Sequence, residues 1–141
     1  MQRRHFLKTL LGALTAMPFL PCRATPASGS PPAPRQILLQ SSPVAGFQFY
    51  HGEELWHQLR PGAPLALVAE PDNPYDRQAV KVIYRGRQLG YVPRLENTAI
   101  SQLLARNQPL TARIAALRQA SDPWQRVTID ILLISGGVST T

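Results

Sequence analysis

Apolar and polar residues alternate most regularly near the carboxyl end. Val127, Ile129, Ile131 and Leu133 form one row, with Arg126, Thr128 and Asp130 between them. A period of two marks a strand with one buried face, so Arg126–Ile134 reads as a strand with Ile129 and Ile131 in the core. Ala79–Tyr84 repeats the pattern, with Val80, Val82 and Tyr84 set against Lys81, Ile83 and Arg85. Arg85-Gly86-Arg87 then turns the chain into Gln88–Val92, giving a hairpin. Ile37–Leu39 and Val44–Tyr50 read as strands interrupted near Pro43, and Leu65–Ala69 as another, ended by Pro71. Leu110–Arg118 pairs with the last strand around Ser121-Asp122-Pro123. Two stretches carry helical spacing instead. Leu55 and Leu59 stand at i, i+4 in Glu53–Leu59, with acids in the first turn. Ile100, Leu103 and Leu104 form a stripe in Thr98–Arg106, where Asn97 is the expected N-cap. Six or seven short strands and two short helices predict a mainly β domain, most simply a small, partly open barrel.

The first 35 residues do not share this patterning. Met1–Lys8 carries Arg3, Arg4 and Lys8, and a 12-residue, mostly apolar run, Thr9–Leu20, follows. A charged start, a short apolar run and a small-residue end make a secretory signal. Arg3-Arg4-His5-Phe6-Leu7-Lys8 resembles a twin-arginine (Tat) signal, with Gln2 where Ser or Thr is usual. The resemblance implies recognition of Arg3 and Arg4 by the Tat export machinery, cleavage after residue 24 or 27, and a periplasmic or secreted protein. Residues 25–35 are rich in Pro, Ser and Ala and read as a flexible spacer. The ordered domain is expected over residues 36–134, with a flexible tail at 135–141.

The leader changes the meaning of the charge. The whole chain of 141 residues carries a formal net charge of +7. Without residues 1–24 it keeps eleven cations against eight acids, a net +3. Basicity alone therefore argues little about a partner. No apolar run is long enough for a spanning helix, so no transmembrane anchor is expected. The single cysteine, Cys22, rules out an internal disulfide and a cysteine-rich zinc site. There is no P-loop sequence and no G-x-S-x-G elbow. His51 and His57 lack the i, i+4 spacing of a helical metal pair. No catalytic constellation, metal site or cofactor is expected.

Four blocks carry a family signal. They are Ala45-Gly46-Phe47-Gln48-Phe49-Tyr50-His51-Gly52, Glu70-Pro71-Asp72-Asn73-Pro74-Tyr75-Asp76, Ala79-Val80-Lys81-Val82 and Leu89-Gly90-Tyr91-Val92-Pro93-Arg94. In this order and spacing they resemble the HIRAN domain, over residues 36–134. The resemblance implies a barrel related to the OB-fold that captures the 3′-hydroxyl end of single-stranded DNA. Such a pocket needs aromatic faces for bases, a carboxylate to accept from the hydroxyl, and cations beside phosphates. Carried over, Phe49 and Tyr75 match stacking aromatics, and Asn73 and Asp76 match the polar pair at the last nucleotide. Arg94 matches a phosphate contact, with Tyr91 near it. Gln48 stands where DNA-binding members carry an arginine, which removes one phosphate contact.

Structural readings stand beside these. Asn73-Pro74 also initiates turns, and Asp76 could cap the turn it follows. Phe49 and Tyr50 alternate, so Tyr50 is expected inside and Phe49 outside. Gly46 and Gly90 suit close backbone approach. Arg77, Lys81, Arg85 and Arg87 form either a basic stripe or a solvated hairpin face. Trp56 and Trp124 are expected in the core or at its rim. The function expected is a non-catalytic nucleic-acid-binding module; the alternative is an exported module that uses the same pocket for a glycan, peptide or protein.

Overall fold

The computed structural model describes residues 33–136. The signal-peptide reading and nearly all of the spacer and tail lie outside the described residues. Among the described residues there are six strands: β1 (Arg35–Pro43), β2 (Pro64–Ala69), β3 (Val80–Tyr84), β4 (Arg87–Tyr91), β5 (Leu110–Leu117) and β6 (Val127–Ser135). Two helices accompany them, α1 (Gly52–Leu55) and α2 (Thr98–Ala105). The strands form one antiparallel sheet in the order β1-β6-β5-β2-β3-β4. The mainly β class expected from the patterning is therefore correct.

The sheet curls until its two edges nearly meet. Just beyond β1, Ala45 exchanges both backbone hydrogen bonds with Tyr91 of β4, at 2.8 and 2.9 Å. This single rung leaves the barrel partly open. Gly90 makes it possible, because a Cβ there would lie 2.3 Å from the Ala45 carbonyl oxygen.

Period-2 alternation places the core. Val80, Val82 and Tyr84 of β3 are buried, as are Val127, Ile129 and Ile131 of β6. The row breaks at the end of β6, where Leu132 is buried and Leu133 only partly so. There β1 carries a bulge between Leu38 and Gln40, opposite Leu132 and Ile131, and a bulge increases local twist. Arg85 and Gly86 both take left-handed φ, which suits the tight β3–β4 hairpin turn. Leu55 and Leu59 are buried as their spacing predicts, although the helix continues beyond Leu55 only as a 3-10 turn, Trp56–Gln58.

Three expectations need correction. Val44–Tyr50 is not a strand. After Ala45 the chain turns through Gly46, at φ +72°, into a 3-10 turn over Phe47–Phe49. Left-handed φ is open to glycine without steric cost, and it ends the extended run. The turn drives Phe47, not Tyr50, into the core. Phe47 is fully buried with its ring against Gly52, where a Cβ would lie 2.4 Å away. Tyr50 is 37% exposed. Finally, Asn97 occupies the N-cap position of α2, but its side chain makes no capping bond. Its amide is engaged with Asp76 instead.

Candidate functional site

The loop from Glu70 to Ala79 joins β2 to β3 and is shaped by its own side chains. Asn73 Oδ1 accepts from the backbone N–H of Tyr75 at 2.9 Å and of Asp76 at 3.2 Å. An Asn side chain that binds the backbone two residues on makes an Asx turn, and Pro74 presets φ within it. Tyr75 is thereby left 84% exposed at the apex. Asp76 Oδ1 accepts from the Gln78 N–H at 2.9 Å, so the structural reading of this motif holds locally. Asp76 Oδ2 accepts from Asn97 Nδ2 at 2.7 Å. Asn97 is buried, and its Oδ1 has no hydrogen-bond partner among the described residues. The hydrogen bond from Asn97 and the one from Gln78 together hold the Asp76 carboxylate in place.

Glu70 ties the loop to the sheet. One carboxylate oxygen, Oε2, accepts from the Tyr91 hydroxyl at 2.7 Å and from Asn73 Nδ2 at 3.1 Å. The other pairs with Lys81 Nζ at 3.0 Å. The Tyr91 hydroxyl, Lys81 and Asn73 together hold the Glu70 carboxyl below its ordinary pKa. Burial, reinforced by the hydrogen bond to Glu70, pushes the Tyr91 phenol up to about 12. Lys81 and Tyr91 are cross-strand partners in β3 and β4, which places both beside Glu70. The sequence pattern assigns Glu70 no role. It opens the second of the four motif blocks, but nothing local marks such an acid as a junction.

These residues surround a cleft of about 420 Å³. Asn73, Tyr75, Asp76, Tyr91 and Arg94 all line it. Phe49 does not; it projects from the 3-10 turn and is 77% exposed. Tyr50 lines the cleft instead, edge-on to Tyr91 with ring centroids 5.5 Å apart. Opening the period-2 run into a turn is what exchanged the two aromatics. Trp124, expected at the core or its rim, is a further wall. Its turn is held by Asp122, whose Oδ1 accepts from the Trp124 N–H at 3.0 Å. Arg94 is exposed and makes no ion pair among the described residues.

Of the four cations read as either a basic stripe or a solvated hairpin face, two are paired with acids, and Arg77 and Arg85 have no acidic partner among the described residues. Lys81 is paired with Glu70, and Arg87 with Glu54. Arg85 lies over the Tyr84 ring. Positive charge at the cleft therefore comes from Arg94, beside the carboxylate of Asp76 and the aromatic faces of Tyr50, Tyr75, Tyr91 and Trp124. Such a cleft can stack planar rings, accept a hydrogen bond from a hydroxyl and hold one anionic group.

No curated protein matches the chain. It is similar in fold to a protein of known crystal structure from Lactobacillus plantarum, with a TM-score of 0.64 and 22% identity. That alignment covers 73% of this chain and 99% of the other. It is also similar to the crystal structure of the HIRAN domain of human HLTF, with a TM-score of 0.55 and 19% identity over 72% of this chain and 81% of that one. The family model of the HIRAN domain matches residues 37–133. Because that block runs from β1 into β6 and includes every lining residue of the cleft, the chain belongs to the HIRAN domain family, generally a family of DNA-binding modules, and this membership supports nucleic-acid binding.

Proposed function

We propose that the domain binds single-stranded DNA without catalysis and seats its 3′-hydroxyl end in the cleft. The observation that carries this reading is the convergence of a fixed carboxylate, Asp76, with aromatic faces and one unpaired cation, Arg94. A carboxylate has about four lone-pair sites. Gln78 and Asn97 occupy one on each oxygen, which leaves acceptors for a terminal hydroxyl. Asn73 has its carbonyl engaged in the turn, but its amide gives only one of two hydrogens to Glu70. The second is free to donate to the last nucleotide. Tyr75 and Tyr50 offer ring faces, and Tyr91 offers its ring and a neutral phenol. Phe49, outside the cleft lining, would meet bases beyond its rim. We further propose export through the Tat route, where the available ligand of this chemistry is DNA outside the cytoplasm.

The test is a titration of the residue 25–141 chain with labelled single strands ending in 3′-hydroxyl or 3′-phosphate. A phosphate would set its negative charge against Asp76. A hydrogen bond to a charged group is worth about 1.5–3 kcal/mol, so the hydroxyl end should bind about tenfold or more tighter. Asp76→Ala should abolish that preference while keeping most of the affinity for the hydroxyl end. With Gln48 in place of an arginine, the salt dependence should be shallow. Equal affinity of the unaltered domain for both ends at low salt would reject the reading.

A further inference from the structure

A strand whose 3′ end sits in the cleft leaves it on its 5′ side. One wall, Trp124, adjoins further space. It also lines a second cleft, of about 380 Å³, together with Arg118, Gln125 and Thr128. We propose that this second cleft holds the next nucleotides of the same strand, with Arg118 taking a backbone phosphate. The proposal rests on the 3′-end reading above and extends it to where the strand goes.

Three observations support it. Four cations elsewhere are engaged with acids: Lys81 with Glu70, Arg87 with Glu54, Arg113 with Asp130, and Arg126 with Glu53. Arg94 and Arg118 are the cations that line the two clefts; both are exposed and, like Arg35, Arg60, Arg77, Arg85 and Arg106, have no such partner among the described residues. The wall between the clefts is an indole, 47% exposed. Cation, aromatic face and cation in succession is the arrangement that tracks a single strand, with charge for the backbone and a ring for a base. The turn is also built to stay in place. Asp122 caps Trp124 and accepts from Gln125 Nε2 at 3.3 Å, and the Arg118 N–H donates to the Arg126 carbonyl at 2.8 Å across the hairpin.

The test compares unlabelled thymidine oligonucleotides of two and six nucleotides, both with 3′-hydroxyl ends, as competitors for a labelled longer strand. The unaltered domain should bind the six-nucleotide strand about tenfold tighter, since the added phosphates and bases reach the second cleft. Arg118→Gln should bind the two-nucleotide strand as before, keep the 3′-hydroxyl preference, and lose most of the gain with length. Its salt slope for the longer strand should fall by about 0.7, one phosphate contact. Arg118→Lys should restore much of the gain. If Arg118→Gln retains the full length gain, or the unaltered domain gains nothing between two and six nucleotides, the second cleft is not on the path. If the unaltered domain binds neither length and ignores the 3′ end, both readings fail together.

Discussion

Tyr91 shows how much a single side chain can report about the cleft. Its phenol donates to Glu70, and burial with that bond pushes it up to about 12. A raised folded value means that the native state holds the proton longer than the unfolded chain does. The associated stability is complete below the ordinary value near 10 and is lost as pH rises through about 12. Glu70 has the opposite sign. Its lowered value contributes stability above the ordinary carboxyl range, lost as pH falls through the folded value. Tyr91→Phe should therefore remove the tyrosinate absorbance that develops near pH 12 and leave Glu70 with one bond fewer. An alkaline titration identical to that of the unaltered protein would show that the phenol is not held in this way. At this scale, five of the six residues carried over from the family resemblance, Asn73, Tyr75, Asp76, Tyr91 and Arg94, line the cleft, and Phe49 does not. The resemblance includes Glu70 in a motif block but gives it no role, because the three groups that meet there come from a loop and two strands.

Strands with one clean buried face are legible in the sequence. β3 and β6 bury alternate residues because each has one face on the core and one toward solvent. Ile129 is fully buried in β6, so Ile129→Ala should cost about 2–5 kcal/mol, measured by chemical denaturation. A loss below about 0.5 kcal/mol would be that of a surface site and incompatible with this packing. The segment after β1 is not legible in the same way. Phe47, Gln48, Phe49 and Tyr50 have the spacing of a strand, yet Gly46 at positive φ redirects them into a turn. The apolar pattern alone does not distinguish the two. What decides is that the Phe47 ring finds space over Gly52, which lies outside the alternating run.

For the molecule as a whole, the amino-terminal pattern makes a separate prediction about transport. Arg3→Lys combined with Arg4→Lys should leave the precursor in the cytoplasm, as followed by cell fractionation of a tagged chain. Undiminished export of the double variant would reject Tat routing. The sequence by itself determined the mainly β class, the positions of most strands and both helices, and the motif blocks that mark the family. These depend on periodicity and turn chemistry, which are local. The tertiary structure decided the strand order, the single rung from Ala45 to Tyr91 that leaves the barrel partly open, and the exchange of Phe49 for Tyr50 at the cleft. It also decided that Glu70 gathers three side chains and that Trp124 stands between two clefts. Most of these join residues far apart in the chain, and only the packed core sets the distances between them.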